Sequence, residues 1–179
     1  STSVIDLYSL ITGEQSGGTW TRTGTGTGGT FDSVAGTFIP AVGATTSSFT
    51  YTLAGTFPCV NASSVATVNI NTQPIAGTGA NTAVCETSTS VIDLYSLIVG
   101  EQAGGTWTRT GTGIGGIFNA AAGTFTPAVG ATTSTFVYTL TGTFPCIDHS
   151  SIATVSIYAE PNAGLGATTT VCASSTDVI

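Results

Sequence analysis

The chain has 179 residues with 24 Gly, 37 Thr and 18 Ser, and is 41% hydrophobic against 6% charged, so it can bury enough apolar surface to offset its ordering entropy and is not a disordered chain. Lys is absent, and Arg22 and Arg109 face nine acids for a net charge of -7, which leaves no basic surface for nucleic acid or an anionic bilayer. Every apolar run is interrupted well short of the roughly 20 residues that a membrane-spanning helix needs, so the chain is not expected to be membrane-embedded. It contains no Met and has no signal-like start at Ser1, so it reads as a piece processed or excised from something longer.

Taken from the first residue, the run STSVIDLYSLI at 1–11 recurs unchanged at 88–98, an offset of 87 residues. That offset maps Trp20 to Trp107, Arg22 to Arg109, Tyr51 to Tyr138, Cys59 to Cys146 and Cys85 to Cys172, and 62 of 87 positions are identical. The closing STDVI at 175–179 echoes STSVI, the start of a third copy, so the parent chain is an array. The copies differ mainly at 32–39, 61–75 and 81–87, which read as loops and a junction.

Alternating β-branched and aromatic residues bounded by Gly, Pro and Thr predict short strands, with no helical periodicity anywhere. In the second copy these fall near 82–85, 91–98, 106–110, 116–118, 124–126, 135–141 and 151–158. In STFVYTLTG, Phe136, Tyr138 and Leu140 share one face while Val137, Thr139 and Thr141 share the other, giving a core face and a Thr-rich face. Seven strands in one period with Trp on the third fit an all-β class of tandem immunoglobulin-like or fibronectin III-like β-sandwiches. The Pro and Gly stretches at 72–81 and 159–168 are expected to be turns between beads, which meet near 74–80 and 161–167. The expected domains are 1–75 (an N-terminally truncated repeat), 76–162 (a complete one) and 163–179 (the start of a third). Short connections predict a nearly linear string with a rise on the order of 40 Å per bead, at about 3.3 Å per strand residue.

The runs VCETSTSVIDLYSLIVGEQAGGTWTRTGTG, FNAAAGTFTPAVGATTSTFVYTLTGTFPC and SSIATVSIYAEPNAG resemble the tandem repeats of giant surface adhesins of gliding Bacteroidota, the SprB-like type, over essentially the whole chain. The resemblance implies Ig-like beads exported by type IX secretion. It also implies long outer-membrane filaments used in adhesion or gliding motility.

Two cysteines per repeat, without CxxC or Cys/His metal spacing, suit disulfides in a secreted chain. Cys85 with Cys146 is the simplest pair inside one bead and would stabilise it by roughly 4 kcal/mol, leaving Cys59 and Cys172 with partners outside the chain. In a standard sandwich these two positions lie at opposite poles, in which case the bridge joins neighbouring beads or the thiols stay free. Trp20, Trp107, Tyr51 and Tyr138 are expected core anchors, and Trp107 with Tyr95 is the surface that a lectin-like or protein-binding alternative would present. Arg22 and Arg109 are expected to pair with Glu14 or Asp6 (Glu101 or Asp93), or to stack on the Trp ring. His149 stands beside Asp148 where the first copy has Asn61-Ala62, so it reads as a solvent-facing loop residue rather than a metal ligand or catalyst. The glycine runs at 24–29 and 111–116 read as turns, because no Lys follows. Only Asp6/Asp93 and Glu14/Glu101 persist as acids, too few for a strong calcium site. Asn61-Ala62-Ser63 is an N-glycosylation sequon, and Ser33 in Asp32-Ser33-Val34 resembles the O-glycosylation signal of Bacteroidota.

No acid, base and nucleophile set repeats in both copies, so no enzyme and no cofactor is expected. The expected role is a structural repeat segment of an extracellular filament or stalk at the cell surface. Its partners would be neighbouring repeats, like chains laterally, and a surface polysaccharide or substratum through other regions.

Overall fold

In the computed structural model, which describes residues 3–173, strands dominate and the helical content is two single 3₁₀ turns at Tyr8–Leu10 and Tyr95–Leu97. The expected third-copy start at 175–179 lies outside the described residues. The chain divides into two compact units: Ser1–Ala76 with Gln102–Gly105 and Thr139–Ser150, and Gly77–Glu101 with Thr106–Tyr138 and Ser151–Ile179.

The first copy supplies β1 (Ile5–Asp6), β2 (Thr19–Thr23), β3 (Thr30–Asp32), β4 (Thr37–Ile39), β5 (Ser47–Leu53) and β6 (Ala62–Val68). They form two open antiparallel sheets, β1-β4-β3 and β2-β5-β6. Along β5 the buried positions are Ser47, Phe49 and Tyr51, and Ser48 and Thr50 between them lie on the other, less buried face, as period-two alternation requires. The two sheets meet through phenyl rings: Phe49 of β5 stands 4.9 Å from both Phe31 of β3 and Phe38 of β4, centre to centre. Leu7, Trp20, Ala66 and Val68 complete this core.

The second copy supplies β7 (Ala76–Gly79), β8 (Asn81–Cys85), β9 (Ile92–Asp93), β10 (Ile98–Glu101), β11 (Thr106–Thr110), β12 (Ile117–Asn119), β13 (Thr124–Thr126), β14 (Ser134–Leu140) and β15 (His149–Tyr158). The sheets are β12-β13-β9, the four-stranded β11-β14-β15-β8, and the pair β10-β7. Strand β8 runs parallel to β15, with Thr154 opposite Asn81 and Tyr158 opposite Cys85.

Three expectations are corrected. The continuous strand at 91–98 is broken, because the Asp93 carboxylate accepts the Tyr95 N–H at 3.0 Å and the Ser96 hydroxyl donates to the Asp93 carbonyl at 2.6 Å, closing a turn that throws Tyr95–Leu97 into a 3₁₀ segment. The identical turn at Asp6 explains, without calcium, why this acid stands in both copies. The stretch 72–81, expected to be a turn, contains β7 instead. Its Gly77 has φ +77°, and a Cβ there would lie 2.7 Å from the Val99 carbonyl, so the glycine serves close strand approach rather than chain reversal. Of the variable segments read as loops and a junction, 61–75 holds β6, whereas within 81–87 the strand expected near 82–85 is present as β8.

Candidate functional site

Two aromatic groups recur at the centre of each copy. Trp20 stands 5.5 Å from Tyr8 in an edge-on pair and 5.2 Å from Tyr51; Trp107 stands 5.6 Å from Tyr95 and 5.3 Å from Tyr138. The Tyr51 hydroxyl donates to the Gln15 carbonyl at 2.7 Å and accepts the Gly18 N–H at 2.8 Å, so this tyrosine ties the 13–18 loop to β5. Gly36, at φ +64°, seals the group: a Cβ there would fall 2.5 Å from the Tyr8 ring and 2.8 Å from the indole nitrogen. At 3% exposure Trp107 offers no ring face to a sugar, and Tyr95 packs edge-on against it.

Among the described residues the arginines pair with no acid. Arg22 donates through Nη2 to the Gly28 carbonyl at 2.9 Å and the Ser47 hydroxyl at 2.6 Å, while its Cζ lies 5.1 Å from the Phe38 ring centre and 5.8 Å from that of Phe49. Arg109 donates through Nη1 to the Gly115 carbonyl at 2.8 Å and through Nη2 to the Ser134 hydroxyl at 2.6 Å, beside the Phe125 and Phe136 rings. The expected partners Asp6 and Asp93 are already engaged in their own turns. A half-buried guanidinium between phenyl faces is stabilised by the ring quadrupoles and by its hydroxyl and carbonyl acceptors, a structural use of the only cations in the chain.

Other candidates separate. Cys59, Cys85 and Cys146 are free cysteines, and Cys172 is exposed. The Cys85–Cys146 bridge is not formed: Cys85 pairs beside Tyr158 at the far end of β15, whereas Cys146 precedes its His149 start. Ten residues at about 3.3 Å each put some 30 Å between those ends, against the roughly 7 Å that a disulfide tolerates between Cα atoms. The Cys146 thiol instead donates to the Asn71 carbonyl at 3.2 Å. Ser33 is exposed between β3 and β4, where the Asp32 carboxylate accepts the Val34 and Ala35 N–H groups at 2.9 Å each. The Asn61 side chain accepts the Gly55 N–H at 3.0 Å, a bond that Asp148 repeats with Gly142. Among the described residues no three His, Cys, Asp or Glu side chains gather, and no helix is long and apolar enough to cross a membrane.

The feature that sequence reasoning missed is the pairing of the segment 75–80. In the first copy a cleft of about 270 Å³ lies between residues 12–15 and 62–64, floored by Tyr51 and Leu53. In the second copy the equivalent residues are 99–102 and 149–151, and the segment 75–80 is bonded to them. The Gln102 N–H donates to the Ile75 carbonyl at 2.9 Å, and the Gln102 side chain accepts the Ile75 N–H at 2.9 Å. The Ala76 N–H goes to His149 Nδ1 at 2.8 Å, the Ser151 hydroxyl to the Gly77 carbonyl, and the Ala80 N–H to the Leu97 carbonyl at 2.7 Å. His149 is therefore an acceptor that holds a strand. Ser151 is buried while its counterpart Ser64 is exposed, and Ile98 and Leu140 are buried while Ile11 and Leu53 are only half-buried. The one signal in the sequence was glycine at 77 and 79 in an otherwise apolar stretch, which marks close backbone approach as well as turns.

No family model matches the chain, and no curated protein is significantly similar to it.

Proposed function

We propose that this chain is a structural segment of a long extracellular filament or stalk, built of tandem immunoglobulin-like beads and used for adhesion or gliding at a bacterial surface. The supporting observation is the duplication of the interior: the Trp-Tyr-Tyr and Arg-Phe-Phe groups recur in both copies with ring separations that agree to within 0.2 Å between equivalent pairs. Most of the aromatic rings and both arginines are spent on two equivalent cores rather than on one asymmetric site. A polymer whose function is reach needs repeated, separately stable bodies whose energies add along the chain. The resemblance to surface-adhesin repeats supplies the cell-surface setting and the type IX export route.

Immunogold labelling of intact producing cells, with antibody raised against residues 76–162, tests the reading. Labels spaced along threads outside the outer membrane are the expected result. Label confined to the cell interior, or restricted to a non-filamentous coat, refutes it.

A further inference from the structure

One main-chain carbonyl of the repeat is approached by cysteines from two sides. The Cys146 thiol donates to the Asn71 carbonyl at 3.2 Å, and its loop is held there by the Asn71 side-chain amide donating to the Phe144 carbonyl at 2.8 Å and by that of Gln73 donating to the Ile147 carbonyl at 2.7 Å. One period later the counterpart of Asn71 is Tyr158. Tyr158 stands directly opposite Cys85 in the parallel ladder of β8 and β15, and its carbonyl accepts the Glu86 N–H at 2.8 Å. Each of these contacts lies inside one compact unit, Cys146 with Asn71 in the first and Cys85 with Tyr158 in the second. Ladder partners are about 4.8 Å apart, so a chain that repeats every 87 residues gathers a sulfur of the Cys146 type and a residue of the Cys85 type at each such carbonyl.

We infer that Cys85 forms a disulfide with the cysteine at the Cys146 position of the following repeat, and Cys146 with the cysteine at the Cys85 position of the preceding one, so that every junction of the array is bridged. This rests on the proposed function in taking the repeats to continue. The two sulfurs meet beside one carbonyl, a separation on the order of one strand spacing that a disulfide spans, whereas the pair inside one bead is some 30 Å apart. At the next junction Tyr158 and Glu160 replace Asn71 and Gln73, so two side-chain bonds are lost. The contact that places the sulfur is made to main chain and survives the change, and Pro161 repeats Pro74. The bond forms by thiol–disulfide exchange: the two thiols join through their sulfurs, and a protein or small-molecule disulfide takes up the two electrons and two protons and leaves as two thiols. Cys146 and Cys172 stand 26 residues apart. With every junction bridged, the shortest covalent path across two repeats runs through one such stretch and one disulfide. At about 3.6 Å per residue that path reaches roughly 90 Å, against roughly 600 Å for two unbridged repeats, so a bridged thread cannot lengthen much when its beads unfold.

Tryptic mapping by mass spectrometry of the parent array, isolated from producing cells without reductant and alkylated with iodoacetamide, tests the pairing. Trypsin cuts after Arg22 and Arg109, so each repeat yields one fragment, here 23–109, which carries Cys59 and Cys85. The expected result is disulfides joining each fragment to the fragments two places away along the array. A bridge inside one bead would join adjacent fragments, a Cys59–Cys85 bridge would close a loop within one fragment, and free thiols would carry the alkyl group. Any of these, or a bridge between two chains, overturns the inference and leaves the proposed filament standing. A parent protein without repeats on either side of this stretch overturns both. Force spectroscopy of the same array gives a second reading: its contour length after full unfolding should rise at least fivefold when reductant is added, and an equal length with and without reductant overturns the bridges.

Discussion

Residues 11–14, ITGE, and residues 98–101, IVGE, differ at one position, yet the first set forms no strand and the second is β10. The same holds across the bead: β6 runs seven residues and its equivalent β15 runs ten. In both cases the longer or more regular element has a partner, β7 or β8, that the first copy lacks among the described residues. Whether a marginal segment becomes a strand is decided by the hydrogen-bonding edge beside it more than by its own residues, because an extended backbone without a partner gains nothing for the entropy it gives up.

The comparison can be broken first at what the copies share. Trp20→Ala should destabilise the first copy by about 3–5 kcal/mol, the range for emptying a fully packed aromatic site. Trp107→Ala should do the same to the second copy; a urea titration followed by circular dichroism reads the loss in the substituted copy, while the fluorescence of the remaining Trp should show the other copy unchanged. Equal losses would establish that the two interiors are equivalent and that the difference between the copies lies at their edges.

The edge itself is broken by Gly77→Val, which places a branched side chain at φ +77° against the Val99 carbonyl. The loss of β7 should cost the second copy on the order of 3 kcal/mol, from hydrogen bonds at about 1 kcal/mol each and renewed exposure at Ile98 and Leu140. With Trp107 as reporter, its unfolding midpoint should fall to that of the first copy. A midpoint unmoved by the substitution would mean that β7 contributes little, and the contrast drawn above would lose its energetic content.

Arg22→Lys has a smaller expected effect, about 1–2 kcal/mol. An ammonium cannot span the Gly28 carbonyl and the Ser47 hydroxyl while lying flat on Phe38. Arg109→Lys should match it, measured by the same titration, since the two sites are geometrically alike.

The smallest effect separates the copies by pH. Backbone N–H bonds from Ala35 and then Val34 hold the Asp32 carboxyl below its usual value, and the site is fully exposed. A carboxyl whose folded pKa lies below its unfolded one adds stability above the unfolded value, near pH 4, and loses it as pH falls through the folded value. The first copy should therefore weaken slightly from this turn as pH falls below about 4, and Asp32→Asn should remove that component. In the second copy Asn119 stands here, accepting the Ala122 N–H at 3.1 Å, and contributes no such slope. Acid titrations followed through each Trp separately check this.

Much of the interior was legible in the chain itself. Period-two alternation picked out the long strands β5, β14 and β15 and the faces they bury, and the exact recurrence of TWTRT located the buried Trp and the arginine two residues on. Arg22 was assigned the right face and the wrong partner. Local pattern says which side of a strand a group occupies, while the rings that cover it, Phe38 and Phe49, come from strands elsewhere in the sequence. The break at 91–98 was missed because an aspartate side chain competes locally with strand pairing, which apolar periodicity does not register.

By itself the sequence determined that this is a strand-built, low-charge, duplicated chain with equivalent apolar interiors, since composition, alternation and repetition are properties of residues along one line. The tertiary structure alone decided that 76–79 is a strand and that 81–85 lies parallel to β15. Those outcomes depend on which backbone finds a partner in space, and unpaired backbone groups look the same in every sequence.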